Sequence, residues 1–253
     1  MKVPIKLILL VCLLFLYAFC NSTQAKENVL DQDDVVLVDS VGTNRICFHR
    51  NTTSVVCLQS LIIDRIKLAA DSIGQIIKLT DVEFRVVVFP ERTIPSKGLS
   101  GAAPNTEHIY ILLNPDHERL AKSIADELVA TIAHEYHHTL RYRTVGYGSN
   151  LFEAMVSEGL ADHFAREVAG EDPPWATPVD EEELAFWREE AEKDWFNPDY
   201  DHLAWFIGLN SDIPRGTGYE IGRRIVREYL ATHPDERPST LYATAANEFL
   251  PLK

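Results

Sequence analysis

The chain has 253 residues, of which 46% are hydrophobic and 25% charged, and this composition excludes collagen-like, disordered and low-complexity proteins. Its 38 acidic residues outnumber the 24 Lys and Arg residues, so the formal net charge is -14. Because an acidic surface repels phosphate backbones and anionic lipid surfaces, the sequence predicts no nucleic-acid partner and no binding to anionic membranes.

The first 25 residues have the layout of a secretory signal peptide. Two lysines precede the apolar run 7–19, and Thr23-Gln24-Ala25 then offers a cleavage site. The run is shorter than the roughly 20 residues that a helix needs to cross a bilayer. We therefore expect cleavage after residue 25, no stable membrane span, and a secreted or periplasmic domain over 26–253. An uncleaved membrane anchor and a lipid anchor on Cys20 are the weaker alternatives.

The next elements in the chain include a predicted hairpin between Cys47 and Cys57. Two β-prone arms surround a polar tip in this segment, a pattern typical of a hairpin. An exported protein reaches an oxidising compartment, which favours a cross-strand disulfide between the two cysteines. Two reduced, half-buried thiols are the alternative.

Strands are predicted early in the chain and helices late. Runs of Val, Ile and Phe that end at Pro or Asn indicate strands, whereas apolar residues at a helical period indicate helices. The predicted strands are 35–38, the two arms of 47–57, 82–89 and 109–113, with a loop over 90–104. The predicted helices are 58–79, 118–142, 151–169, 180–195, 219–231 and 239–249. This order indicates an α+β fold in one domain, with a small N-terminal sheet and a mainly helical C-terminal half.

The helix 118–142 contains the string His134-Glu135-Tyr136-His137-His138. Residues four apart share a helix face, so His134 and His138 can direct both imidazoles at one metal ion. Glu135 lies on the flank, where its carboxylate can reach a metal-bound water without ligating the metal. This is the H-E-x-x-H pattern of zinc peptidases, and a solvated His-rich face is the alternative. We expect His137 to pack behind the site or to face solvent.

The following helix, 151–169, supplies the remaining carboxylates. A catalytic zinc takes three protein ligands and keeps one position for water. Glu158 and Asp162 are again four residues apart, so we predict Glu158 as the third ligand and Asp162 as the carboxylate that orients a ligand imidazole. Gly159 is expected to let the two helices approach closely. Glu153 and His163 are the alternative third ligands, although His163 points elsewhere on the helix.

These strings resemble the gluzincins, thermolysin-like metallopeptidases in which an E-x-x-x-D helix follows the H-E-x-x-H helix. With Ala133 before the first string and Gly218-Tyr219-Glu220-Ile221-Gly222 near the end, the chain is more narrowly similar to the largely uncharacterised family of predicted Zn-dependent proteases. The metzincin pattern is not met, because its third His would fall at Thr144 and its Gly at Arg141.

The resemblance implies a zincin-like fold in which the strand before the active-site helix forms the upper rim of the substrate cleft. The strand 109–113 precedes that helix. We expect it to pair along an exposed edge with an extended peptide, or else to be an ordinary core strand.

The residues therefore predict a secreted zinc peptidase with a peptide or protein substrate. One Zn²⁺ ion, held by the two histidines and Glu158, would activate a water whose proton Glu135 takes as general base. Tyr219 is the predicted hydrogen-bond donor to the developing oxyanion, with His202 and His163 as alternatives. The other interpretation of Tyr219 is a half-buried aromatic residue that opens a core helix.

Two other functions use the same residues. One is an exported metal-binding or interaction module with little or no catalysis, although a scaffold would not require Glu135, which is not a ligand. The other is hydrolysis of a non-peptide amide, which the sequence does not separate from peptide hydrolysis.

Overall fold

The computed structural model describes residues 35–176, 180–209 and 211–250. The predicted signal peptide, 1–25, and Cys20 lie outside the described residues. Within those ranges no helix is both long enough and apolar enough to span a bilayer. The described residues from Leu37 onward form one compact unit.

Five strands form one sheet: β1 (Val35–Val41), β2 (Asn44–His49), β3 (Glu83–Val88), β4 (Leu99–Ala102) and β5 (His108–Leu113). Their order across the sheet is β1-β2-β3-β5-β4. The central strands β2, β3 and β5 run parallel. Strand β4 runs antiparallel to β5 and forms one edge of the sheet. The sequence does not predict β4, and the prediction of an exposed edge on 109–113 is wrong, because β5 lies between β3 and β4.

Five α-helices follow the predicted pattern: α1 (Gln59–Ile76), α2 (Leu120–Tyr142), α3 (Leu151–Ala169), α4 (Glu181–Asp194) and α5 (Thr217–Thr232). Helix α3 begins where the Asn150 side chain accepts a hydrogen bond from the Glu153 amide, and it ends at a left-handed Gly170. The predicted helix 239–249 is instead two short 3-10 helices, Pro238–Ala243 and Ala246–Phe249. The predicted α+β fold is confirmed.

Two hydrophobic clusters lie on either side of the helices α2 and α3. One packs a face of the sheet against α1 and α2, with Phe84, Ile109 and Ile132 fully buried. The other joins α3 to α4, α5 and the C-terminal 3-10 helices, with Leu160 and Ile221 fully buried. Burial of this apolar surface fixes α2 beside α3, and the predicted site residues of both helices therefore lie at one junction.

The predicted disulfide is wrong, because Cys47 and Cys57 are both free. Strand β2 ends at His49, and the chain continues as the 3-10 helix Arg50–Leu58 instead of returning as a second hairpin arm. Strand β2 lies between β1 and the parallel strand β3, and Cys47 is buried opposite Arg85 of β3, whereas Cys57 is exposed.

The close approach predicted at Gly159 is present, but the partner helix is α5. A Cβ atom on Gly159 would lie far inside the contact distance of the Gly222 carbonyl group, and one on Gly222 would collide with the Met155 carbonyl. Both obstacles are main-chain atoms of helices, which cannot move aside like a side chain. The crossing of α3 and α5 therefore depends on two glycines.

We expect Gly159→Ala to lower the free energy of unfolding by about 3 kcal/mol, because overpacking of this kind forces backbone shifts. Urea unfolding followed by circular dichroism measures the effect. Gly74→Ala is the matched control, since Gly74 lies in α1 with no neighbour near its missing Cβ. That variant should gain roughly 0.5–1 kcal/mol from helix propensity. Equal stability of the two variants would contradict the role of Gly159 in the helix crossing.

Candidate metal centre

Three potential ligand atoms converge between α2 and α3. The Nε2 atoms of His134 and His138 are 3.0 Å apart, and the Glu158 Oε2 atom lies 3.1 Å from the first and 3.4 Å from the second. All three side chains are buried. Spacing four residues apart on α2 brings the imidazoles together, and the packing of α3 against α2 adds the carboxylate.

The His134 ring is oriented by Asp162. Its Nδ1 atom lies 2.9 Å from Asp162 Oδ1, and because a carboxylate only accepts, Nδ1 donates this hydrogen bond and Nε2 is directed at the other two ligand atoms. The same Oδ1 atom accepts a 2.8 Å hydrogen bond from Trp175 Nε1. Arg223 Nε lies 3.7 Å from the second oxygen of this carboxylate. Asp162 is thus held from several sides, and it fixes the direction in which His134 points.

The donor set fits a tetrahedral zinc ion. Zinc bonds of about 2.0–2.2 Å place neighbouring tetrahedral ligands about 3.3–3.6 Å apart, close to the three separations found here. Within the described ranges, Glu158 Oε2 is buried and accepts no hydrogen bond. Two imidazole nitrogens and a carboxylate oxygen that face one another at these distances are the chemistry that a divalent cation completes.

The electrostatics of Glu158 agree with this arrangement. Burial alone would raise the pKa of Glu158, but the imidazoles of His138 and His134 outweigh it and lower the pKa well below its usual value. The carboxylate is therefore charged, as a metal ligand must be.

Glu135 lies beside the three ligand atoms without joining them. Its carboxylate is buried, and burial raises the pKa of Glu135 above its usual value. Strand β4 passes directly over it: a Cβ atom on Gly101 would lie 2.5 Å from Glu135 Cγ and 2.6 Å from Oε1. A glycine at this position lets the edge strand approach the carboxylate.

Tyr219, near the start of α5, also faces the site. Its ring centroid is 6.5 Å from that of His134, and burial together with the charges of Glu158 and Asp162 raises the pKa of Tyr219 well above its usual value. The phenol therefore keeps its proton. Its ring packs edge-on against Phe206, and among the described residues no hydrogen bond of its hydroxyl group is found.

The alternative residues lie elsewhere or have other partners. His163 Nε2 lies 3.0 Å from the Arg223 carbonyl oxygen on the α5 side, and Glu153 accepts hydrogen bonds from Ser149 at the start of α3. His202 lies 3.1 Å from the Tyr200 hydroxyl and stacks on Phe206. None of the three belongs to the group of ligand atoms found within the described part of the chain.

His137 packs in the core and does not reach solvent. It is fully buried, and its ring lies 5.5 Å from that of Phe164. Burial lowers the pKa of His137 well below its usual value, so the ring is neutral.

Two aromatic residues at the site escape prediction from the sequence. The Tyr147 hydroxyl group donates a 2.6 Å hydrogen bond to Glu158 Oε1, and Trp175 binds Asp162 as described above. Tyr147 lies between Gly146 and Gly148. The two glycines indicate a turn, but they do not indicate which residue Tyr147 contacts. Trp175 lies in a Pro-rich segment without periodicity, so its contact with the site has no local signal.

A buried His-His-Glu group on two packed helices, next to a small mixed sheet, defines the class of an H-E-x-x-H metal centre. The chain belongs to the family described as "Predicted Zn-dependent protease (DUF2268)", whose model matches residues 65–251. The resemblance drawn from the His134–His138 and Glu158–Asp162 strings is thereby confirmed. No curated protein matches the chain.

Proposed function

We propose that the protein is a zinc-dependent peptidase whose single Zn²⁺ ion is held by His134, His138 and Glu158. The observation that carries the proposal is the convergence of three buried ligand atoms, all within 4.8 Å of one another. A buried carboxylate, that of Glu135, lies next to this group but is not one of the ligands. A site that only stores metal has no need of that carboxylate.

The bound ion would supply an activated water and polarise the scissile carbonyl group. The protein's residues would supply the proton transfers. Glu135 takes the proton from the water as general base and returns it to the leaving amine. The raised pKa of Glu135 suits both steps, because a carboxyl group whose pKa lies nearer to the working pH both accepts and returns a proton more readily.

Tyr219 is the proposed donor to the oxyanion. Its hydroxyl group keeps its proton and has no competing partner among the described residues. A donor prepared in this way stabilises charge as it develops without first breaking another hydrogen bond. His202, by contrast, lies within hydrogen-bonding distance of Tyr200.

The substrate would lie along β4. This strand forms one of the two edges of the sheet, and its Gly101 lies over Glu135. An extended peptide that adds to this edge through main-chain hydrogen bonds would place its backbone over the proposed base. Side chains matter less to such pairing than the backbone, which favours a peptide over a small amide.

Export is part of the same proposal. The segment 1–25 has the layout of a signal peptide, and the domain over 26–253 would act outside the cytoplasm, secreted or in a periplasm. Of the two free cysteines, Cys47 is buried in the sheet and does not oppose this, whereas Cys57 is exposed.

Unfolded casein and a mixture of quenched fluorescent peptides test the proposal, with zinc-loaded protein and with protein treated with a chelator. We expect one equivalent of zinc, cleavage by the loaded protein, loss of cleavage after chelation, and recovery on adding zinc. Zinc binding without cleavage of any peptide would favour a metal-binding module. Cleavage of small aryl amides alone would indicate a non-peptide amidase. Cleavage that is insensitive to the chelator would contradict a metal-dependent mechanism.

A further inference from the structure

Tyr147 lies in the tight turn between the two helices that carry the site. Both flanking glycines have positive φ, 83° at Gly146 and 133° at Gly148, which side chains rarely adopt. A Cβ atom on Gly148 would also lie 2.5 Å from Glu153 Cβ. The turn is therefore restricted in conformation, and it directs the Tyr147 side chain back toward α3.

The main chain of the turn is also held by a chain of hydrogen bonds. The Tyr147 carbonyl oxygen accepts a hydrogen bond from the Ser157 hydroxyl, which in turn accepts one of 2.8 Å from Arg141 Nε. The Arg141 side chain is fully buried, and a further nitrogen of it donates to the Thr244 carbonyl. The main chain of Tyr147 is thus held by contacts that involve none of the proposed metal ligands.

The hydroxyl group of Tyr147 binds the carboxylate oxygen of Glu158 that does not face the histidines. It donates to Oε1 at 2.6 Å, whereas Oε2 faces the imidazoles. The Tyr147 ring lies 5.5 Å from that of His138 and stacks on Tyr142 at 6.4 Å, so it has little freedom to turn. The two carboxylate oxygens therefore have separate partners.

We propose that Tyr147 is a positioning residue that keeps Glu158 from turning both of its oxygens toward the zinc ion. With Oε1 held by the phenol, the carboxylate offers the ion Oε2 alone, and one position stays open for water. This inference rests on the proposed function of the site. It assigns a role to a residue that is not one of the proposed ligands.

Tyr147→Phe removes only the hydroxyl group and tests the proposal. Contacts that orient a metal ligand are typically worth 10- to 100-fold in metal affinity, and we expect roughly a 10-fold loss of zinc affinity. Competition with a chromophoric chelator measures it. In the Co²⁺-substituted variant we expect weaker visible absorption, because a carboxylate bound through both oxygens raises the coordination number. A purely structural role would not change this spectrum.

Tyr142→Phe is the matched control. Tyr142 stacks on Tyr147, yet its hydroxyl group makes no hydrogen bond to Glu158. This variant should keep wild-type zinc affinity and the wild-type cobalt spectrum. Melting temperatures of all the metal-free proteins check that the fold is intact.

A double-mutant cycle separates action through Glu158 from any other effect. In a Glu158→Ala background the hydroxyl has no carboxylate to hold, so Tyr147→Phe should change the remaining affinity by less than about twofold. A tenfold loss that persists there overturns the proposal, as does an unchanged spectrum in the single variant. Absence of zinc binding by the wild-type protein would instead overturn the proposed function.

Discussion

Replacement of Glu135 by Gln is expected to lower peptide hydrolysis by about 10²- to 10⁴-fold, the usual contribution of a general base. The amide has the size of the carboxylate and fits beneath Gly101, but it cannot accept the proton of the water. Because Glu135 lies outside the group of ligand atoms, the variant should retain one equivalent of zinc. Steady-state cleavage rates and metal analysis of the same preparation measure both properties.

Retention of zinc is the control that gives this result its meaning. If Glu135→Gln also loses the metal, the loss of activity says nothing about proton transfer. Full activity in the zinc-loaded variant would rule out Glu135 as the base and would remove the main argument against a simple metal-binding module.

Replacement of Glu158 by Ala is expected to weaken zinc binding by more than about 100-fold, beyond the range typical of outer contacts. Two imidazoles on one helix face remain, and the carboxylate that completes the set is lost. Hydrolysis should fall with the metal and should recover in part at high zinc concentration. Chelator competition and activity titrated against free zinc measure the two effects.

Glu153→Ala is the matched control for the third ligand. It removes a carboxylate from the same helix, but Glu153 hydrogen-bonds Ser149 and lies outside the metal group. Its zinc affinity should equal that of the wild-type protein. If Glu153→Ala loses zinc and Glu158→Ala does not, the assignment of the third ligand is wrong.

The boundaries of the helices follow closely from the sequence where local chemistry determines them. Helix α3 is predicted over 151–169 and has those ends, because Asn150 and Gly170 are caps that can be identified from residue type. Strand β4 is not predictable in this way. Its residues, Leu99-Ser-Gly-Ala, have little β-propensity, and they are extended because they pair with β5.

The same distinction applies to the predicted disulfide. The residues around Cys57 have a β-like composition, but whether they return beside β2 depends on which strand occupies that position. Both positions beside β2 are occupied, one by β1 and the other by β3 after a crossover through α1. No pattern within residues 47–57 contains that information.

For the candidate site, the sequence predicts those residue pairs that share a helix face through their spacing. The pairs His134 with His138 and Glu158 with Asp162 follow from a four-residue repeat, and the structure brings them together. The hydrogen bonds of Tyr147 and Trp175 depend instead on how the turns fold back over the helices. Such contacts are tertiary and leave no periodic signal.

The paired glycines of α3 and α5 also bear on how the site can vary. Gly159 is the neighbour of Glu158, and Gly222 lies one turn after Tyr219, so the place where the helices touch sets the separation of these two proposed site residues. A larger residue at either position would push the phenol outward while leaving the histidines of α2 where they are. With Tyr219 as the proposed oxyanion donor, such a variant would lose transition-state stabilisation before it loses the ability to hold metal.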